Sequence, residues 1–293
     1  MKVIKPTLIT DAEFVSSTVA ENDYAVWNSG TTYNLADRVI KNHRIYESLQ
    51  GSNLNKDPVL SSSSTWWLDV GPTNRWAMFD QYVNTQTVAT GSTMTVVLNP
   101  GIINTLALVE LTGAQAHVTM TVTGVGVVYD ATKNFDATPI IDWYGYFFEP
   151  YDIATEVVFD NLPPYATGQV TVEITASSGQ AKCGGLIVGT AYEMGAVQYG
   201  ARAGIIDYSR KDTNAFGIVT IVKRKFSKRM GVNLTLENSA IRRLQTLLAD
   251  LRSTPCLWIG VPSDTDTYGP LVVFGFYRDF QIEIGYPTQS SCS

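Results

Sequence analysis

Histidine, cysteine and charge are all scarce in this chain. Its 293 residues include 2 His and 3 Cys. His43 and His117 lie far apart and have no ligand-type spacing with Cys183, Cys256 or Cys292, so no familiar zinc arrangement is present. Three widely separated cysteines are odd in number and make no disulfide framework. They read as structural thiols of a protein folded in a reducing cytoplasm. Charged residues make up 16% and the net charge is −6, which argues against a nucleic-acid partner, because phosphate binding needs clustered Lys and Arg. No apolar run approaches the length of a membrane span, and the first ten residues hold no apolar stretch of signal-peptide type. The expectation is a soluble protein, not inserted in a membrane and not exported by the standard route. There is no Gly-x-Ser-x-Gly elbow and no phosphate-cradling glycine loop. Gly124-Val-Gly126 lies between strands and reads as a turn. Nothing calls for a cofactor or a metal.

What is abundant is β-forming sequence. Apolar residues reach 45%, with 15 Tyr and 6 Trp among them, and Val and Thr are frequent, so the chain can bury sizeable cores. Four segments follow. Residues 1–24 read as an arm with a strand over 3–9 and a polar turn or short helix that Asp11 caps. Residues 25–74 read as a small β module. In it Asn42-His43 is a tight turn between strands 38–41 and 44–46, and 51–65 is a polar loop. Residues 75–198 show short strands at 93–98, 105–111, 117–122, 125–129, 155–159, 169–174 and 185–188. Breaks at Asn99-Pro-Gly101, Gly113, Pro163-Pro164 and 177–179 separate them, the pattern of a β-sandwich of jelly-roll type. Residues 199–293 change character: strands over 213–225 and 232–236, a helix over 238–252 with Ile241, Leu244, Leu247, Leu248 and Leu251 on one stripe, then strands at 256–260, 271–276 and 279–284. This is an α+β unit, expected to be the docking domain. The predicted fold class is therefore mainly β, with one helix.

The aromatic set at 27–74 carries the strongest functional signal. Trp27, Tyr33, Tyr46, Trp66 and Trp67 crowd a unit too small to hide every ring. Indole and phenol faces accept the C–H-rich faces of pyranose rings, for about 0.5–1.5 kcal/mol by analogy with aromatic pairs. The same rings also serve as the core of such a unit. Trp66 and Trp67 are adjacent, so in an extended segment one faces in and the other out.

The pattern Trp27-x5-Tyr33, Asp37-x-Val39, Tyr46, then a polar loop with Pro58 and a closing tryptophan, resembles the chitin- and cellulose-binding modules of carbohydrate-binding families 5 and 12. Ala36 stands where those modules usually have glycine. The resemblance covers about fifty residues. It implies Trp27, Tyr46 and one of Trp66 and Trp67 as ring-stacking residues. The continuation, Trp67-Leu-Asp-Val-Gly-Pro-Thr-Asn-Arg-Trp-Ala-Met-Phe-Asp80 followed by a β-sandwich and an α+β tail, is similar in layout to tail, baseplate or fibre-associated proteins of tailed bacteriophages. That implies a virion protein assembled in the host cytoplasm, a homo-oligomer in the particle beside other tail or baseplate proteins, with host glycan as a further partner.

Other candidates are weaker. The stretch Asp142-Trp143-Tyr144-Gly-Tyr146-Phe147-Phe148-Glu149 reads as an aromatic loop whose rings meet another subunit. Asp136, Asp142, Glu149 and Asp152 are the carboxylates a glycosidase pair would draw on. Asp264-Thr-Asp266 begins like a calcium loop but lacks its later ligands and reads as a turn. Lys223, Arg224 and Lys225 head the one basic cluster, a solvated strand end or a patch for an acidic partner. The leading expectation is a non-enzymatic structural protein with no catalytic residues. A polysaccharide-active accessory enzyme or free carbohydrate-binding protein, and a module that binds protein rather than glycan, are the alternatives.

Overall fold

The computed structural model describes residues 1–293 except 81, 83, 84, 137–141, 149–151, 214, 264 and 266; the side chains of 61, 145 and 146 are likewise outside the description. The fold is mainly β. Two antiparallel sheets face each other across the largest core. One has five strands in the order Gly126–Asn134, Gln115–Val122, Gly168–Thr175, Thr93–Leu98, Phe14–Ser17. The other has six: Val157–Phe159, Thr105–Val109, Gly185–Glu193, Lys2–Pro6, Cys256–Ile259, Val272–Gly275.

Alternation explains the first sheet. In Thr93–Leu98, residues Met94, Val96 and Leu98 are buried while Thr93 and Thr95 are not, and Gly168–Thr175 does the same with Val170, Val172 and Ile174. Opposite faces of a strand take successive side chains, so this pattern buries one face only. Thr105–Val109 is buried at every position, as its apolar run requires. Leu106 and Leu108 enter the sandwich core, and Ala107 and Val109 enter a second cluster on the far face of the sheet with Ile4, Ile187 and Leu257.

The N-terminal strand is the joint of the molecule. Lys2–Pro6 pairs on one side with Gly185–Glu193 and on the other with Cys256–Ile259. The six-stranded sheet therefore takes strands from the N-terminal arm, the sandwich segment and the C-terminal segment. Gly189 makes the pairing possible: a Cβ there would lie 2.1 Å from the Lys5 carbonyl oxygen.

The helix Ile241–Asp250 buries Leu244 and Leu248 against Leu234, Leu236, Trp258 and Cys292. A 3₁₀ turn, Asn238–Ala240, precedes it, so the regular helix is shorter than the apolar stripe implied. A small sheet, Ala196–Val197, Leu234–Glu237, Gln289–Cys292, Ile282–Glu283, lies beneath. The expected strand over 213–225 is a strand only in part: Val219–Val222 forms one strand of a projecting hairpin, with a turn before it and no strand at 223–225. Arg202–Asp207 pairs with Phe226–Gly231, and Arg210–Thr213 with Val219–Val222. Gly217, at a φ of 80°, sits in the turn, a backbone conformation that a β-branched residue resists. Cys183, Cys256 and Cys292 are buried free thiols.

Candidate functional site

The 25–74 module is a three-stranded antiparallel sheet, Arg38–Lys41, Arg44–Ser48 and Trp67–Pro72, beside a short pair, Thr32–Tyr33 with Asn53–Leu54. Asn42 and His43 both take positive φ, 47° and 62°, which matches the right-handed twist of the flanking strands in a two-residue hairpin. Residues Val39 and Tyr46 sit opposite each other, as do Ser48 and Trp67. Their inward side chains build a private core of Tyr33, Val39, Tyr46 and Trp67, with Trp27 and Trp66 packed at its margin.

This sorts the five candidate rings. Tyr33 and Tyr46 are 8% exposed and Trp67 is 4% exposed, so none offers a face to a sugar, and the stacking role expected for them is corrected to a core role. Their polar atoms are spoken for or desolvated. Trp67 Nε1 donates to the Lys56 carbonyl at 2.8 Å, and Tyr33 Oη accepts from the Asn28 amide at 2.7 Å. Burial raises the Tyr46 phenol above its ordinary range. Trp27 and Trp66 are half-buried. Trp66 lies just before the strand that begins at Trp67, and the inward turn of Trp67 leaves its neighbour at the rim.

Each rim indole carries a cation. Lys41 Nζ sits 4.0 Å from the Trp27 ring centroid and is held there by Asp57 at 2.6 Å. This bond pulls the Asp57 carboxyl below its ordinary range. Lys56 Nζ stands 5.3 Å from the Trp66 centroid. The face of Trp27 is thus covered by an ion pair, while the contact over Trp66 is looser. The sequence reading missed Lys41, Lys56 and Asp57, because residues 41 and 57 are brought together by the loop between them and share no local spacing.

The module is fastened to the sandwich through His43. Its Nδ1 meets Glu21 Oε1 at 2.9 Å, its Nε2 meets Asp11 Oδ1 at 2.8 Å, and its ring stacks on Trp76. Glu21 also accepts from Thr73 Oγ1 at 2.8 Å. Of the turn or short helix expected after the first strand, residues 11–13 form the turn, and Asp11, expected as a cap, instead meets His43. His117 is a sheet residue 2.8 Å from Asp130.

The remaining candidates are scattered. Residues Trp143–Phe148 form a short helix rather than a loop, with Trp143 and Phe147 stacked four residues apart at 6.3 Å. Trp143, Tyr144, Phe147 and Phe148 are exposed; the side chain of Tyr146 lies outside the described residues. Lys223, Arg224 and Lys225 are exposed at the bend of the projecting hairpin. Asp136, Asp142 and Asp152 are exposed, and Glu149, Asp264 and Asp266 lie outside the described residues. Among the described residues no group of three or more His, Cys, Asp or Glu side chains is placed to hold a metal ion, and no helix is long and apolar enough to cross a membrane.

No protein-family model matches the chain, and no curated protein matches it. Two carbohydrate-binding modules of known structure are weakly similar to part of it. One is a CBM32 module from Clostridium perfringens in complex with GalNAc-β-1,3-galactose, at 14% identity and a TM-score of 0.28, over 38% of this chain and 80% of that one. The other is chitosan-binding module 1 of a chitosanase/glucanase from Paenibacillus sp. IK-5, at 11% identity and a TM-score of 0.26, over 38% and 81%. Likenesses this slight carry no argument about ligand or activity.

Proposed function

We propose that this chain is a non-catalytic structural protein of a tailed-bacteriophage tail or baseplate, present in several copies and touching host surface glycan through its 25–74 module. The observation that carries the glycan contact is Trp66: a half-buried indole at the rim of a packed aromatic core, next to a ring, Trp67, that turns inward. The core fixes the orientation of the ring, so little side-chain freedom is lost when a sugar lies on it. Lys56 above the ring moves aside at little cost, because a single exposed cation–π contact is worth about 0.5–1 kcal/mol. A single such contact with sugar is weak. Repeated copies on one symmetric particle raise the effective affinity by about 10²–10⁴.

The particle assignment rests on the layout of the chain and on its exposed aromatic helix Trp143–Phe148, an apolar surface suited to burial in an assembly. Negative-stain imaging of purified virions with an antibody to this chain tests it, and tails or baseplates that stay unlabelled reject it. Affinity electrophoresis of the full chain in chitin-derived and host-surface glycans tests the glycan contact, which fails if Trp66→Ala migrates like the wild type in every one.

A further inference from the structure

The hairpin spanning residues 199–231 leaves most of its strand residues exposed. It consists of two-stranded ribbons, Arg202–Asp207 with Phe226–Gly231 and Arg210–Thr213 with Val219–Val222. Two strands alone are marginal in water. Here all four residues of Val219–Val222 are exposed, with Ile221 at 71%, and Ile205, Ile206 and Tyr208 are exposed as well. Apolar side chains on both faces of a ribbon have nothing to bury them against within the hairpin itself. The arm is also basic. Residues 199–231 contain eight Lys and Arg against two Asp, a net +6, whereas the chain totals −6, which leaves −12 on all other residues.

At the base of the arm lies a groove of about 360 Å³. Its apolar lining includes Leu8, Ile9, Phe79 and Phe274. The charged residues that the body contributes to it, among those described, are all acidic: Asp80, Glu110 and Glu156. The two cations in the lining, Lys225 and Lys228, come from the arm's own base, and Lys228 already pairs with Glu156 at 2.5 Å. Burial raises the Asp80 carboxyl above its ordinary range, so a cation brought beside it would recover part of that desolvation.

We infer that the apolar, basic tip of the arm seats in the apolar, acidic groove of a second copy of this chain. The two surfaces differ, so the contact is heterologous: repeated, it closes into a ring or runs on as a filament. Reach is adequate, since the ten strand residues of Arg202–Asp207 and Arg210–Thr213 add up to about 33 Å of strand. Opposite net charges on arm and body steer the encounter and set its polarity. This deepens the assembly half of the function proposed above and rests on it.

Sedimentation velocity of the full chain over rising concentration tests the inference. The expected result is a species of at least twice the 32.1 kDa mass whose population falls as salt rises. The Val219→Asp, Ile221→Asp double variant, altered only at exposed positions, is expected to keep the wild-type melting temperature and stay monomeric. A second measurement fixes the geometry. Chains carrying Ile221→Cys are mixed with chains carrying Leu8→Cys, and a mixed disulfide dimer is expected, because the three native thiols are buried. A wild-type chain that is monomeric at every concentration overturns the inference, as does a double variant that assembles normally. So does a monomer whose arm captures an RNA oligonucleotide or anionic vesicles instead. Labelled virions together with a monomeric chain would sink this contact alone and leave the particle assignment standing; unlabelled virions would sink the assignment.

Discussion

His43 lies stacked on Trp76, ring centroids 4.0 Å apart and planes 25° from parallel, although the two residues belong to different structural units. His43 is the second residue of a tight turn in the small module, and Trp76 belongs to the main sandwich core. The turn chemistry that closes the 38–48 hairpin therefore also presents an aromatic ring to the next unit, and Glu21 and Asp11 clamp that ring from its two nitrogens.

Replacing His43 with Asn tests this clamp. Asn tolerates the left-handed backbone at this position, so the substitution removes the stack and both carboxylate contacts without straining the turn. Glu21 would keep Thr73 Oγ1 at 2.8 Å and Arg75 at 3.7 Å. A loss of about 1.5–3 kcal/mol is expected, the range for hydrogen bonds to charged groups. Hydrogen exchange should show residues 25–74 opening before the sandwich. Uniform protection across both units in the variant would remove His43 from the joint.

The backbone of the fold was legible wherever alternation or an apolar run dictated it. Met94, Val96 and Leu98 declare one buried face, and the unbroken run from Leu106 to Val109 declares two. The module was legible for the same reason that the orientation of its rings was not. Its aromatic residues announce a small β unit, but spacing alone does not say which ring turns inward. That is decided by the register of Trp67 opposite Ser48 and by the Lys56 carbonyl waiting for its indole N–H. The Lys41–Asp57 cover over Trp27 and the double pairing of Lys2–Pro6 depend on contacts between distant residues, which leave no local periodicity. The hairpin arm escaped detection because a ribbon exposed on both faces carries no buried stripe.

Gly189→Ala probes the joint made by the N-terminal strand. The new methyl would meet the Lys5 carbonyl at 2.1 Å, and a backbone atom inside a central strand pair has little room to yield. Overpacking of this kind destabilises by about 1–3 kcal/mol, so a fall in melting temperature of several degrees is expected. An unchanged melting temperature would show that Lys2–Pro6 is loosely held.

The three cysteines give a pH-dependent prediction. Burial pushes the Cys183 thiol up to about 12 and the Cys256 thiol up to about 11, and raises Cys292 in the same direction. The native fold therefore holds neutral thiols. An unfolded thiol titrates near its ordinary 9.0, so above that pH the unfolded chain sheds protons that the native chain retains. Stability contributed by Cys183 is complete below about 9 and is lost as pH rises towards 12. At pH 8 a thiol-directed reagent should label native protein slowly and all three positions quickly after denaturation. Rapid labelling of any one in the native state would contradict this burial.

On the proposed function the module's rings divide between stability and recognition, and paired substitutions separate the two. Trp67→Ala removes a 4% exposed indole and its bond to the Lys56 carbonyl; a loss of about 3–5 kcal/mol is expected from the lost burial and the cavity left behind, visible in denaturant unfolding. Trp66→Ala leaves the inner core of Tyr33, Val39, Tyr46 and Trp67 in place, so the fold should survive with a small shift. Its effect should appear in glycan retention. One stacked ring is worth about 0.5–1.5 kcal/mol, which corresponds to a weakening of about two- to tenfold per site. Trp27→Phe is the control, because the Lys41–Asp57 pair already occupies that ring's face and the substitution should leave retention near wild type. If Trp27→Phe abolishes retention while Trp66→Ala does not, the sugar lies on the other indole and displaces Lys41 to reach it.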